Sequence, residues 1–142
     1  METKVIISDT PDYDKMVDLR YRILREPLGL TFSPEYLEKE KNDILCVCEE
    51  NSSVIGCCIL TPVDNRIIQL RQMAVDNSIQ KKGIGAKVLH FAEQTARERG
   101  FNKITLHARK VAVGFYLKYN YNIIGEEFTE VGIPHYEMEK II

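Results

Sequence analysis

Apolar residues along the chain alternate between two spacings, and each change of spacing marks an element. Val5-Ile6-Ile7 is a short apolar run that predicts a first strand. Thr10-Pro11 then supplies an N-cap and a first helical residue, and Tyr13, Met16, Val17, Tyr21 and Leu24 keep helical spacing. Pro27 and Gly29 end that helix, and Ser33-Pro34 caps a second short one through about Glu40. Three strand-like runs follow, Ile44–Glu50, Val54–Thr61 and Arg66–Val75. The turns between them, Asn51-Ser52-Ser53 and Pro62-Val63-Asp64-Asn65, are short enough for antiparallel hairpins.

Helical spacing returns after Gly83 with Ile84, Val88, Phe91, Ala92 and Ala96, and Gly100 stops it behind Arg97 and Arg99. Lys103–Arg109 predicts a strand with Ile104, Leu106 and Ala108 on one face and Thr105, His107 and Arg109 on the other. A helix over about Val111–Lys118 and strands around Asn122–Phe128 and Tyr136–Ile141 complete the order βααβββαβαββ. The strand–helix–strand unit around Gly83 needs a crossover, so the sheet is expected to be mixed and mostly antiparallel, in an α/β (α+β) fold. With 142 residues and no linker, repeat or low-complexity tract, a single domain over 1–142 is expected.

The densest chemistry lies where the Arg66–Val75 strand gives way to the next helix. Gln80-Lys81-Lys82-Gly83-Ile84-Gly85-Ala86 is a glycine-containing helix entry with two adjacent lysines. Glycines let several backbone N–H groups face one anion at a helix N-terminus, where the dipole favours negative charge. A phosphate-bearing ligand is therefore expected. It is not a P-loop ligand, because Gly85 is followed by Ala86-Lys87-Val88 and lacks the Gly-Lys-Ser/Thr run. A dinucleotide-binding loop is also excluded, since Val88 stands where the third glycine would fall.

Gln-x-x-Gly-x-Gly after Met73-Ala74-Val75 resembles the pyrophosphate-binding signature of the GNAT superfamily of N-acetyltransferases. Ala112-Val113-Gly114-Phe115-Tyr116-Leu117-Lys118-Tyr119-Asn120-Tyr121 is similar to a second motif of that superfamily. The element order matches over nearly the whole chain. Leu106-His107-Ala108-Arg109, Gly132-Ile133-Pro134-His135 and Tyr21–Gly29 further resemble a branch of small acyltransferases of the ElaA type.

The resemblance implies acetyl-CoA as co-substrate and no metal. The cofactor residues it implies are Met73, Ala74 and Val75 on the strand, Gln80, Lys81, Lys82, Gly83, Ile84, Gly85 and Ala86 in the loop, and Arg109. Arg109 stands where relatives commonly carry Asn, and Asn120 replaces a glycine while still suiting a left-handed turn. Tyr116 takes the position of a general acid near the cofactor sulfur. Some histone acetyltransferases of the superfamily use a Glu six residues before the strand's last Val, where this chain has Gln69. The base is left among His135, His107 and a water chain, histidine being the side chain that titrates near neutrality.

The implied activity is transfer of an acetyl group to a primary amine of a small molecule or peptide. The alternative is a non-catalytic acyl-CoA binding or sensing domain, which Gln69 would suit and Tyr116 would not. Around the first two helices, Glu26, Glu38, Glu40 and Asp43 could receive a cationic amine, and Arg22 and Arg25 a carboxylate.

Composition narrows the partners. Net charge is −2, so no general pull toward nucleic acid or an anionic membrane is expected. No apolar run approaches the roughly 20 residues of a membrane span, and a cytoplasmic protein is expected. A homodimer is compatible with the resemblance. Cys46 and Cys48 should share one strand face and Cys57 and Cys58 should point to opposite faces, as packing residues rather than metal ligands.

Overall fold

The computed structural model describes residues 1–79 and 83–142, so the expectations for Gln80, Lys81 and Lys82 lie outside the described residues. The chain runs β1 (Glu2–Ile6), α1 (Pro11–Arg20), α2 (Pro34–Glu38), β2 (Ile44–Glu50), β3 (Ser53–Pro62), β4 (Ile67–Val75), α3 (Ile84–Glu98), β5 (Lys103–Arg109), α4 (Val113–Lys118), β6 (Asn122–Glu130) and β7 (Ile133–Ile141). One seven-stranded sheet has the order β1-β2-β3-β4-β5-β7-β6. Every pair is antiparallel except β4–β5, which α3 connects. The expected order and mixed sheet are both present.

The two sheet faces carry separate cores. Ile104, Leu106 and Ala108 of β5 pack with Val88, Leu89 and Ala92 of α3 and Tyr116 of α4. On the opposite face, Met16 and Leu19 of α1 pack with Leu45, Val47, Ile59 and Ala74. Cys46, Cys48 and Cys58 lie in the α3 core and Cys57 in the α1 core, all unpaired thiols. Burial first of all pushes the Cys57 thiol up to about 12, which leaves it unreactive at neutral pH. The cysteines are packing residues, as their spacing predicted.

Both expected helix caps form. Thr10 Oγ1 accepts from Tyr13 N–H at 3.3 Å, and Ser33 Oγ accepts from Tyr36 N–H at 3.1 Å. The first helix departs from the regular spacing expected for it. After Arg20 the chain winds into one wide π-type stretch, Tyr21–Arg25, and then a 3₁₀ turn, Glu26–Leu28. Wider turns rotate the following side chains relative to a continued α-helix, and such insertions concentrate at functional sites. The buried stripe therefore runs Tyr13, Met16, Leu19 and Arg20, while Leu24 and Arg25 swing toward the opening in the sheet.

Arg20 is completely buried and grips Glu40 through two hydrogen bonds, 2.8 Å from Nη1 and 2.6 Å from Nη2. Tyr13 Oη donates to the same carboxylate at 2.9 Å. The guanidinium also lies 4.7 Å from the Phe32 ring centroid. These contacts fasten α1 to the segment around α2.

The end of the chain also differs from its expected bounds. The closing strand begins at Ile133, because the turn is made by Val131 and Gly132 at φ 45° and 78°. Ile133 and Pro134 are already paired with Glu130 and Thr129. Thus His135 sits inside a hairpin ladder, not at the head of a strand. Strand β6 is interrupted by Gly125 at φ 78°, within the register shift between Ile124 and Phe128.

Candidate active site

Strands β4 and β5 begin side by side and then part. They pair from Ile67–Lys103 to Leu70–Leu106 and no further, although β4 continues to Val75 and β5 to Arg109. The divergence follows from a β-bulge. Between the pairs Ile59–Arg71 and Cys57–Ala74, β4 carries one residue more than β3, and Gln72 takes the left-handed φ of 56°. A bulge bends its strand and increases local twist, here away from β5. The facing backbone edges after Leu70 and Leu106 have no partner in the ladder.

A cleft of about 570 Å³ occupies this opening and draws its lining from both sheet faces. The volume lies within the range of small-molecule sites. On the α3/α4 side it is lined by Met73, Val75, Gly85, Ala108, Ala112, Phe115 and Tyr116. On the α1 side it is lined by Gln69, Arg71, His107, Arg109, Glu130 and His135, roofed by Leu24, Arg25, Leu30 and Tyr36.

The helix entry fits an anion. Gly83 has φ 87°, a conformation that favours glycine, and among the described residues nothing but its chain neighbours lies within 4 Å of where its Cβ would stand. The first bond of the following helix is Lys87 N–H to Gly83 C=O at 2.9 Å, and Gly83 gives no side-chain cap. The N–H groups of Ile84, Gly85 and Ala86 therefore precede the helical ladder, at the positive end of a 15-residue helix. A Cβ on Gly85 would stand 3.3 Å from two ring carbons of Phe115, so this glycine also permits close packing of α3 on α4.

Tyr116 reaches the cleft from α4, its ring edge-on to Phe115 and Tyr121. Burial, and secondarily Cys58, raises its phenol above the ordinary tyrosine value. Tyr116 therefore stays protonated at any physiological pH. Tyr121 donates instead to Glu93 Oε2 at 2.8 Å, beside Lys140 Nζ at 3.0 Å, and is a packing residue. Asn120 takes φ 72°, the left-handed turn expected of it.

His135 and His107 meet around one carboxylate. The ladder pairs His135 with Arg109 on one side and Phe128 on the other. His135 Nδ1 donates to the Ile133 carbonyl at 2.9 Å, which fixes the tautomer and leaves Nε2 as the acceptor nitrogen. Glu130 Oε2 lies 3.6 Å from that Nε2, and Glu130 Oε1 accepts from His107 Nδ1 at 3.0 Å. Phe128 stacks on His135 and meets His107 edge-on. His135 is 4% exposed, whereas the His107 side chain is 35% exposed.

The structure separates Arg109 from the glycine loop with which the sequence grouped it. Its side chain is on the α1 face and donates to the Leu24 carbonyl at 3.2 Å. Of the charged residues considered around the first helices, only Arg25 lines the cleft. Glu40 is consumed by Arg20, Glu38 pairs with Lys41 at 3.1 Å, and Arg22 pairs with Asp18 at 3.0 Å. Glu130, Gln72 and Tyr36 escaped the sequence reading.

Residues 31–142 match the family model of the acetyltransferase (GNAT) domain. A putative acetyltransferase of Bacillus subtilis (strain 168) is 35% identical over 142 residues, covering 99% of this chain and 96% of that protein. Two other relatives from the same organism match over only 50% and 52% of their own length. The chain belongs to the GNAT acetyltransferase family. Among solved structures, an aminoglycoside 6'-N-acetyltransferase complexed with coenzyme A superimposes with a TM-score of 0.84 at 19% identity, covering 99% of this chain and 97% of that one. Escherichia coli ElaA gives a TM-score of 0.84 at 12% identity, covering 99% of each chain. The likeness to ElaA expected from the sequence is met at the level of the fold.

Proposed function

We propose that this protein transfers an acetyl group from acetyl-CoA to a primary amine by direct attack, as a cytoplasmic enzyme. The observation that carries the reading is the cleft through the sheet. It has an uncapped, glycine-built helix entry on one face and a tautomer-fixed histidine on the other.

The N–H groups of Ile84, Gly85 and Ala86, with the neighbouring Gln80, Lys81 and Lys82, would hold the diphosphate. The free edge of β4 from Met73 through Ala74 to Val75 would pair with the pantetheine arm and offer an N–H to the thioester oxygen. When bound, acetyl-CoA supplies a thioester whose acyl–sulfur bond breaks as the nitrogen–acyl bond forms. An amine entering from the α1 face meets His135, whose Nε2 takes the amine proton, while Glu130 at 3.6 Å stabilises the resulting imidazolium. His107 is secondary: its Nδ1 is engaged by Glu130, and it orients that carboxylate.

Tyr116 serves the departing sulfur. With its acidity weakened by burial, its phenol is a poorer acid than an ordinary thiol, near 8.5 for cysteine. It therefore acts by hydrogen bonding to the thiolate rather than by complete proton transfer. Tyr116→Phe should lower turnover by roughly 10²- to 10³-fold, the effect of removing one preorganised donor. Stopped-flow turnover beside CoA titration checks this; a variant with unchanged turnover returns Tyr116 to packing.

Gly83→Val and Gly85→Val should each abolish CoA binding. The first strains a left-handed residue, and the second drives a side chain into Phe115. The overpacking at Gly85 should cost about 1–3 kcal/mol of stability. Calorimetric titration with CoA, alongside melting of each variant, checks both; native-like affinity in a folded variant removes the loop from the anion site.

The activity itself is tested by measuring CoA release from acetyl-CoA with a panel of amines, polyamines, amino acids and peptides. Turnover with any amine supports the enzyme. Tight CoA binding without turnover across the panel supports the acyl-CoA binding or sensing alternative.

A further inference from the structure

Resting on the reading above, we propose that the amine acceptor carries an anionic group, a carboxylate or phosphate, that Arg25 and Arg109 receive beside His135. The α1 half of the cleft holds three guanidiniums, Arg25, Arg71 and Arg109, against one carboxylate, Glu130, and Glu130 is engaged by the histidines.

Arg71 is already committed. It donates to Tyr36 Oη at 2.8 Å and stands 3.9 Å from Asp43. Neither Arg25 nor Arg109 has a carboxylate partner among the described ion pairs. Arg25 is held by aromatic faces, 4.6 Å from the Phe32 centroid and 5.2 Å from that of Tyr36. Those contacts hold its plane, and its N–H donors have no hydrogen-bond partner among the described residues. Arg109 spends one donor on the Leu24 carbonyl. Its acidity is altered by burial and by the neighbouring positive charge of Arg25, in the direction of losing the proton. Two cations kept close and partly buried without an anion form a site that an anion would complete.

Position limits the ligand further. Arg109 and His135 are directly paired across β5 and β7, so their Cα atoms stand about 5 Å apart. An anion on Arg109 and an amine at His135 Nε2 can thus belong to one small molecule with the two groups a few bonds apart, as in an amino acid. Gln72 adds a second polar point at the same cleft. Its amide nitrogen donates to Tyr36 Oη at 2.9 Å, and its carbonyl oxygen is buried with no partner among the described residues.

The test compares CoA release from acetyl-CoA with matched acceptors: tyrosine against tyramine, and phosphoethanolamine against ethanolamine. The expected result is a preference of roughly 10- to 100-fold in kcat/KM for at least one anionic member, the usual worth of hydrogen bonds to a charged group. Tyrosine winning its pair identifies a carboxylate, and phosphoethanolamine winning its pair identifies a phosphate. In Arg25→Gln and Arg109→Gln the preference should collapse through KM, with Arg25→Lys and Arg109→Lys recovering part of it. The thermal shift given by CoA should persist in all four variants, which shows that they are folded and that the cofactor half is intact. Neutral amines used as well as or better than their anionic partners overturn the inference while leaving the acetyltransferase reading in place. Loss of the CoA-induced shift in the Gln variants also overturns it, and assigns the two arginines to the cofactor phosphates. CoA binding without release from any acceptor, the wider amine panel included, overturns both readings together.

Discussion

His135→Gln should lower turnover by roughly 10²- to 10⁴-fold, the range over which a positioned base contributes, while CoA still binds. The substitution keeps a polar side chain of similar reach at a site that is 4% exposed, so the hairpin between β6 and β7 should survive. It removes the nitrogen that the Ile133 hydrogen bond leaves free to accept a proton. The pH–rate profile carries the sharper information. An imidazole base works only when unprotonated, so wild-type activity falls on the acid side. The Gln variant should lack that limb. If the limb persists unchanged, the proton is taken by His107 or by the ionisation of the amine itself, and His107→Gln separates those two. Glu130→Gln should act through the same pair, because the carboxylate faces His135 Nε2 and receives His107 Nδ1.

Glu40→Ala should destabilise the fold by about 3–5 kcal/mol, the cost of leaving one partner of a buried ion pair unmatched. Arg20 has no exposure, and its two terminal nitrogens are spent on Glu40, while its Nε already lacks a partner among the described residues. Removing the carboxylate leaves a buried guanidinium beside the Phe32 ring, and it also frees the Tyr13 hydroxyl. The effect should reach the site, since Phe32 is shared between Arg20 and Arg25. Urea unfolding read by circular dichroism checks the stability. A loss below about 1 kcal/mol would show that the cluster is not a clamp. Stability restored in an Arg20→Met/Glu40→Met double variant would show that the cost is one of unpaired charge rather than of shape.

The sheet was legible because its periodicities were unmixed. The alternation in β5 placed His107 and Arg109 on one face and Leu106 and Ala108 on the other, and the two cores divide along that line. The caps at Thr10 and Ser33 were equally plain, being local hydrogen bonds between near neighbours. The π-type stretch at Tyr21–Arg25 was not legible. Arg20, bonded to Glu40, immediately precedes it, and no local residue marks where the spacing widens. The bulge at Gln72 was hidden for a related reason, since its positive φ falls on a residue with no turn preference of its own.

At the candidate site, the helix entry and Tyr116 were readable from short-range pattern: glycines before a helix, and a tyrosine at a fixed place in a motif. The acceptor half depends on register between strands distant in sequence. Arg109 was grouped with the loop because it stands where relatives commonly carry Asn. Only the pairing of β5 with β7, and the bond to Leu24, set it beside His135. Glu130 came beside the histidines the same way, through a closing strand that begins three residues earlier than the strand pattern indicated.

The most direct measurement is the melting temperature with and without CoA. A ligand that binds only the folded state raises stability by about 2.7 kcal/mol at one hundred times its dissociation constant. A saturable upward shift in wild type, absent in Gly83→Val, is expected from a diphosphate held at the α3 N-terminus. No shift at millimolar CoA would contradict both the cofactor assignment and the chemistry built on it.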